Sequence, residues 1–172
     1  KLDYFICEAV QQGATRILTY GSNQSNHGRL TAAAAAKFGM KCTILMDELP
    51  PEKATGSLLI DRILGADIVF MDDADFRNDE EADYLEKMRK LYSQVTNALK
   101  KEYESKGETV YIIPEGGSSP VGALGYFYAA KEIKNQLEEM GVKMDYVATV
   151  LGSTATFGGL ILGSKFFNTD FT

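Results

Sequence analysis

The sequence predicts an α/β fold with open parallel sheets and helices on both faces, in the doubly wound style. Short runs rich in β-forming residues, bounded by Gly, Asp or Pro, alternate with longer stretches of helical periodicity. The β-rich runs are almost continuously apolar, as strands covered by helices on both sides require. With 45% hydrophobic residues among 172, the chain can bury a core of one domain or of a domain and a half.

The predicted strands and helices alternate regularly along the chain. The strands cover residues 15–20, 41–46, 67–71, 109–113 and 146–151, and the helices cover residues 2–12, 27–38, 53–64, 78–106 and 121–140. Three of these helices end at Gly13, Gly39 or Gly65, where glycine suits a left-handed C-terminal cap. Alternation of this kind is typical of strands joined by helical crossovers in a parallel sheet.

The longest predicted helix opens with an acidic stretch. Its acids are Asp72, Asp73, Asp75, Asp79, Glu80, Glu81 and Asp83. A metal cluster could use such carboxylates, but acids at the start of a helix that ends near Lys100 and Lys101 match the helix dipole, which favours a solvated surface. Apolar side chains recur on one face of this helix at Tyr84, Met88, Leu91, Val95 and Leu99. The pattern predicts that this face packs on the sheet rather than forming an interaction groove.

Charge and cysteine usage limit the class of protein. A net charge of −6 provides no basic surface, which argues against a nucleic-acid or membrane partner. No apolar run approaches the ~20 residues of a membrane span, and the first residues lack a signal-peptide layout. The predicted location is therefore the cytoplasm. Cys7 and Cys42 have no metal-binding spacing, and both are predicted to be reduced thiols in the core.

Two strand-to-helix junctions carry the strongest functional signals. Residues 21–29 follow the first strand and are dense in Ser, Asn and Gln, which suits an anionic or polyhydroxyl ligand. The plainer interpretation is an elaborate helix N-cap. Residues 152–156 follow the last predicted strand, and their small side chains, hydroxyls and successive N–H groups suit a phosphate. This second junction matches neither the dinucleotide-binding pattern nor the Walker pattern.

These junctions resemble those of a known family. Gln24-Ser25-Asn26-His27, followed by Arg29 and an alanine-rich helix, is similar to the pattern of pyridoxal-5'-phosphate (PLP) enzymes of the D-cysteine desulfhydrase and 1-aminocyclopropane-1-carboxylate (ACC) deaminase family. The resemblance continues through residues 111–118, 122–126 and 152–156 and is weakest across residues 72–106. It implies the tryptophan-synthase-β-like architecture called fold type II.

The resemblance also implies roles for particular residues. Ser25 would contact the substrate carboxylate, and Asn26 would contact the phenolic oxygen of PLP, which makes them the candidate catalytic residues. His27 is a third candidate substrate-binding residue, or on the plainer interpretation it fixes the loop. The cofactor phosphate would be held by Gly152, Ser153, Thr154, Ala155 and Thr156. No metal is expected.

The activity implied by the resemblance is an α,β-elimination on a small amino acid, with PLP as the electron sink. D-cysteine would give pyruvate, ammonia and sulfide. The alternatives are ACC deamination, another lyase reaction of the same branch, or a non-catalytic module that binds a ligand with the same fold. The family also implies a homodimer for the full-length protein.

Departures from the family pattern concern the ends of the chain and both loops. The Schiff-base lysine of the family would lie three residues before Lys1, so the chain is expected to be a fragment that is inactive alone. In family terms, residues 1–112 would form a small domain and residues 113–172 would open the larger PLP-binding domain. Residues 21–23 replace the usual Gly-Gly-x, and Thr154-Ala155 stands where glycines are common. The substrate could differ accordingly.

Overall fold

The computed structural model describes residues 1–71, 80–169 and 171. Contacts divide the chain into two compact units, one formed by Ala9–Ile113 and the other by Lys1–Glu8 together with Pro114–Thr172. The division at Ile113 lies one residue from the predicted domain boundary. The first eight residues group with Pro114–Thr172 in this division, and the two predicted domains, residues 1–112 and 113–172, stay a prediction.

The helices and strands follow the predicted order, with one exception at residues 146–151. In chain order they are α1 (Leu2–Gln11), β1 (Arg16–Tyr20), α2 (Asn26–Lys37), β2 (Lys41–Met46), α3 (Gly56–Ile63), β3 (Asp67–Phe70), α4 (Glu81–Ser105), β4 (Val110–Ile112), α5 (Pro120–Met140) and α6 (Ala155–Phe167). The four strands form one sheet in the order β3-β2-β1-β4, and every neighbouring pair is parallel. The predicted α/β class with a parallel sheet is confirmed.

Consecutive strand residues point to opposite faces of this sheet, and helices cover both faces. On one face, Leu18 and Leu45 are buried in a cluster with Met88 of α4. The apolar stripe of α4 predicted from the sequence packs against this cluster, as expected. On the other face, Ile44 contacts α2 closely enough that a Cβ on Gly28 would lie 3.5 Å from its Cδ1 atom.

The predicted left-handed caps are confirmed. Gly13, Gly39 and Gly65 have φ angles of 67°, 69° and 79°, a region that L-residues with a side chain rarely adopt. Each follows the end of a helix and turns the chain towards the next strand. These glycines therefore set the short connections that place β1, β2 and β3 side by side.

The amino-terminal edge of the sheet carries a buried charge network around Arg16. The guanidinium group of Arg16 donates to Glu108 and Asp67, at 2.5 Å each, and to Thr43 Oγ1 at 2.7 Å. It also lies 3.9 Å from the ring centroid of Tyr103. Because the strands are parallel, this edge is opposite to the one where the first candidate loop lies. The network therefore has a structural role.

The predicted strand at residues 146–151 is wrong, because these residues pair with none of the described strands. Tyr146 is 80% exposed and Val150 is 86% exposed. A strand needs a hydrogen-bonded neighbour, and the described residues supply none next to this apolar segment.

The predictions for the two cysteines and for the acidic stretch have different outcomes. Cys42 is buried as predicted, whereas Cys7 is exposed because it shares the outer face of α1 with Asp3 while Phe5 and Ile6 face inwards. Most of the acidic stretch, from Asp72 to Asp79, lies outside the described residues.

In the unit that contains Pro114–Thr172, α5 and α6 cross with their backbones in contact. A Cβ on Gly159 would lie 2.4 Å from the Ala123 carbonyl oxygen, and one on Gly163 would lie 2.3 Å from that of Phe127. Small residues at both positions therefore allow this close approach. Among the described residues, no helix is both long and apolar enough to cross a membrane.

Candidate functional site

The first loop lies at the carboxyl end of β1, and Ser25 ends it as the N-cap of α2. The Ser25 backbone is extended, and its Oγ accepts a hydrogen bond of 3.0 Å from the Gly28 N–H group. The N-cap interpretation of the sequence is therefore realised. A hydroxyl that accepts one bond still has its own proton to donate. Ser25 can cap the helix and bind an anionic ligand group at the same time.

Glycine at position 21 is what allows Ser25 to lie there. A Cβ at Gly21 would be 2.9 Å from Ser25 Cβ and 3.0 Å from its Oγ, closer than side-chain atoms approach. The Gly21 N–H group also donates to the Leu45 carbonyl oxygen at 2.9 Å. The end of β1 therefore fixes the position of the Ser25 hydroxyl.

Asn26 is the first residue of α2, and its amide has a defined orientation. The Oδ1 atom accepts a hydrogen bond of 2.7 Å from Nη2 of Arg29. A guanidinium group can only donate, so the amide nitrogen of Asn26 must point away from Arg29. The exposed Asn26 side chain therefore presents a hydrogen-bond donor.

His27 is anchored to the sheet through Thr19. Its Nε2 atom lies 2.9 Å from Thr19 Oγ1, and that hydroxyl donates to the Ile113 carbonyl oxygen at 3.0 Å. Because the single hydroxyl proton is used at Ile113, the His27 Nε2–H group must be the donor to Thr19. This geometry suits a residue that fixes the loop, and the predicted contact of His27 with substrate stays a prediction.

Sequence reasoning assigned no role to Gln24, which connects the first loop to α3. Its Oε1 atom accepts from the Ser57 N–H group at 3.1 Å, and its Nε2 atom donates to the Thr55 carbonyl oxygen at 3.2 Å. Thr55 precedes α3 and makes no side-chain cap of its own. Gln24 therefore caps α3 from a distant part of the sequence. The only signal was its place next to Ser25.

The second loop, residues 152–156, ends in the N-terminus of α6. Thr154 is the N-cap and has a left-handed backbone with φ 65° and ψ −29°, which is costly for a β-branched residue. The Ala155 and Gly158 N–H groups donate to the carbonyl oxygens of Ser153 and Thr154. Among the described residues, the backbone N–H groups of Thr156 and Phe157 donate to neither a loop carbonyl oxygen nor a capping side chain. The first turn of α6 can therefore receive an anion.

Residues 116–118 hold this second loop. The Ser118 hydroxyl donates to the Ser153 carbonyl oxygen, and Gly116 lies so close that a Cβ there would be 2.6 Å from Ser153 Oγ. Gly116 has a φ angle of 57°, which also favours glycine. The glycine-rich segment that carried part of the family resemblance is thus the support of the loop.

Lys1 brings a positive charge to the same support. Its Nζ donates to the Gly116 carbonyl oxygen at 2.7 Å, and burial lowers its pKa. The sequence predicted only that Lys1 is not the Schiff-base lysine. Its contact with the residue that packs on Ser153 could not be read from the sequence, since the two are more than a hundred positions apart.

A cavity of about 370 Å³ opens beside the second loop. Its lining combines the hydroxyl-bearing residues Ser118, Ser119 and Thr154 with apolar side chains that include Leu151 and Leu162. This volume falls in the range of small-molecule sites. The cavity and the second loop belong to one unit, and the first loop belongs to the other.

Several curated proteins are similar to this chain over nearly its whole length. A Thermotoga maritima protein provisionally named 1-aminocyclopropane-1-carboxylate deaminase is 40% identical over 168 residues, or 96% of this chain and 48% of that protein. The ACC deaminase of Bradyrhizobium diazoefficiens is 34% identical over 95% of this chain and 46% of its own length. The mitochondrial bifunctional D-cysteine desulfhydrase/ACC deaminase of Arabidopsis thaliana is also 34% identical, over 95% and 40%. The chain spans about half the length of these relatives.

Solved structures agree on the fold. The crystal structure of an ACC deaminase homologue matches 99% of this chain and 47% of its own, with 34% identity and a TM-score of 0.77. A threonine deaminase matches 95% of this chain and 45% of its own at 23% identity, with a TM-score of 0.65, which shows the fold alone. The predicted fold type II architecture is confirmed.

A family model gives the same result for the chain as a whole. The model described as "Pyridoxal-phosphate dependent enzyme" matches residues 2–171. Together with the relatives above, this match confirms the family predicted from the Gln24-Ser25-Asn26-His27 element and PLP as its cofactor. The chain belongs to the pyridoxal-phosphate dependent enzyme family.

Proposed function

We propose that the protein to which this chain belongs is a lyase that acts on D-cysteine and releases pyruvate, ammonia and sulfide. The observation that carries a PLP-dependent reaction on a small amino acid is the first loop, where the Ser25 hydroxyl and the Asn26 amide nitrogen remain as donors at the start of α2. When bound, PLP serves as the electron sink for charge that develops at the substrate α-carbon. The protein's own residues bind and orient the reacting groups.

Residues of the second loop fit the cofactor phosphate. The first-turn N–H groups of α6, a helix of 13 residues, suit a dianion. Gly152 is exposed and a Cβ there would meet nothing within 4 Å, so a ligand has room to approach the backbone. The Lys1 ammonium group, bonded to Gly116, adds a positive charge to the support of this loop. Gly152, Ser153, Thr154, Ala155 and Thr156 are therefore our proposed phosphate ligands.

Residues of the first loop fit the remaining roles. Ser25 can donate its hydroxyl proton to a substrate carboxylate while its oxygen stays bonded to the Gly28 N–H group. Asn26 can donate its amide N–H to the phenolic oxygen of PLP. We propose both roles, with His27 next to them at the substrate. In this proposal Gln24 keeps the loop attached to α3.

The choice of D-cysteine rests on the family branch and not on a contact that discriminates leaving groups. D-cysteine and ACC share the carboxylate that Ser25 would bind. Support for sulfide elimination comes from the similarity to the bifunctional Arabidopsis enzyme, and ACC deamination is the alternative activity.

The phosphate assignment can be tested by comparing PLP with pyridoxal, which lacks the phosphate. We expect Thr156→Val to weaken PLP binding about tenfold and to leave pyridoxal binding unchanged, since it removes a hydroxyl at the first turn of α6. Thr149→Val, at an exposed threonine outside the loop, is the matched control. If Thr156→Val weakens the binding of PLP and of pyridoxal equally, the assignment of this loop as the phosphate site is wrong.

The activity can be tested by following sulfide and ammonia from the PLP-loaded protein with D-cysteine, L-cysteine and ACC. Sulfide from D-cysteine supports the proposed lyase, and Ser25→Ala should then raise KM more than it lowers kcat. If the protein releases ammonia from ACC but no sulfide from D-cysteine, the lyase proposal is wrong and ACC deamination takes its place. PLP binding without turnover of any of the three would favour the ligand-binding module.

A further inference from the structure

Arg29 occupies an electrostatically unfavourable position in α2. It is the fourth residue of the helix, close to the positive end of the helix dipole, and the first turn contains no acidic residue. A cation here needs another source of stabilisation. The side-chain Oδ1 atom of Asn26, one turn earlier, accepts a hydrogen bond of 2.7 Å from the guanidinium group and supplies part of this stabilisation.

Asp61 of α3 supplies a compensating negative charge. Its side chain is fully buried, and neither carboxylate oxygen has a hydrogen-bond partner in the part of the chain that the structure describes. Burial raises the pKa of Asp61, and the positive charge of Arg29 acts in the opposite direction. Helices α2 and α3 pack against each other, so the charges of Asp61 and Arg29 attract across the contact between these helices.

The bond between Arg29 and Asn26 has a chemical consequence at the first loop. A free asparagine amide can turn by 180° and present either its oxygen or its nitrogen. Because Arg29 only donates, it keeps the oxygen on its own side and leaves the nitrogen as the outward donor. An oxygen that carries negative charge, such as the phenolic oxygen of PLP, binds the nitrogen and repels the oxygen of an amide.

We infer that Arg29 is a positioning residue that selects the amide orientation of Asn26 and thereby strengthens cofactor binding. The inference rests on the proposed role of Asn26. It assigns Arg29 no contact with the cofactor or the substrate. Its whole effect on the ligand should therefore pass through the Asn26 side chain.

A double-mutant cycle tests this dependence. Arg29→Met removes every donor, Arg29→Lys keeps a donor and the charge, and Arg62→Met alters an exposed arginine of α3 as a control. We expect Arg29→Met to raise the Kd for PLP about fivefold, and Arg29→Lys about twofold or less. Arg62→Met should leave it unchanged. With Asn26→Ala present, Arg29→Met should change the Kd by less than about 1.5-fold.

A second measurement needs no cofactor. The side-chain amide of Asn26 gives a signal in a ¹H–¹⁵N spectrum that can be identified by its loss in Asn26→Ala. The order of this amide, measured from that signal, should fall in Arg29→Met and should be restored in Arg29→Lys. Unchanged order in Arg29→Met would overturn the inference, as would an equal rise in Kd with and without Asn26. If Asn26→Ala alone leaves PLP affinity unchanged, the proposed role of Asn26 fails too, and wild-type protein that binds no PLP defeats the proposed function itself.

Discussion

Asp61 should make the free energy of unfolding depend on pH in a direction opposite to most carboxylates. Burial raises its pKa from 3.8 to about 6, and the charge of Arg29 only partly opposes this rise. Each pKa unit corresponds to about 1.4 kcal/mol, so the ionised form costs about 3 kcal/mol in the folded state. Asp61→Asn keeps the shape of the side chain and removes this cost.

The sign follows from which state binds the proton more tightly. The folded chain holds the Asp61 proton more strongly, so the stabilising contribution is complete below about pH 4 and is lost as the pH rises through about 6. We expect Asp61→Asn and the wild type to be similar at pH 4. At pH 8 the variant should be more stable by about 3 kcal/mol.

Urea unfolding at pH 4, 5, 6, 7 and 8 measures this difference directly, provided that the slope with urea stays the same. Asp83→Asn, which changes an exposed acid of α4, is the matched control. A stability difference between Asp61→Asn and the wild type that does not change between pH 4 and 8 would refute the reasoning. It would mean that the Asp61 carboxyl group is solvated or paired when ionised.

Four further variants test other parts of the molecule by the same unfolding measurements. Hydrogen bonds, chiefly from Arg16, lower the pKa of Glu108 to about 2, so wild-type stability should fall by about 1 to 2 kcal/mol as pH drops from 4.5 to 2, and Glu108→Gln should not show this fall. Gly159→Ala should cost about 2 kcal/mol because its Cβ meets the backbone of α5, whereas Gly158→Ala has open space and should cost little. Thr154→Gly should remove the strain of a left-handed backbone at a residue with a side chain, and it should raise the free energy of unfolding by about 1 kcal/mol. The same variant should weaken PLP binding because the hydroxyl is lost.

Most of the sheet could be predicted from the sequence because its strands are apolar on both faces. Apart from Arg16 and Thr19 in β1 and Lys41 and Thr43 in β2, the runs that became these strands are apolar or aromatic, and the glycines that end the preceding helices gave their limits. The segment at residues 146–151 has the same apolar composition but forms no strand with the described residues. An apolar composition predicts that a segment will be buried. Whether the segment forms a strand depends also on a neighbouring strand to pair with, and the segment's own sequence does not specify that neighbour.

The candidate site was predictable where its geometry is local. Ser25 is an N-cap because a short hydroxyl side chain precedes a helix by one residue, which is a sequence signal. The bond from Gln24 to Ser57 and that from Lys1 to Gly116 join residues distant in sequence. No periodicity links such pairs, so their roles appear only once the chain has folded.

Polar groups at the two ends of the sheet differ in how completely they are satisfied, and this difference separates structure from function. At the amino-terminal edge, Arg16 donates hydrogen bonds to Glu108, Asp67 and Thr43. At the carboxyl-terminal edge, the Ser25 hydroxyl proton and the Asn26 amide nitrogen remain as donors after the local bonds are made. A buried network that only stabilises the fold gains by pairing every group, because an unpaired one costs desolvation energy. A ligand can use donors that internal bonds hold in place but do not consume. For this reason we propose the first loop, and not the Arg16 network, as the ligand-binding site.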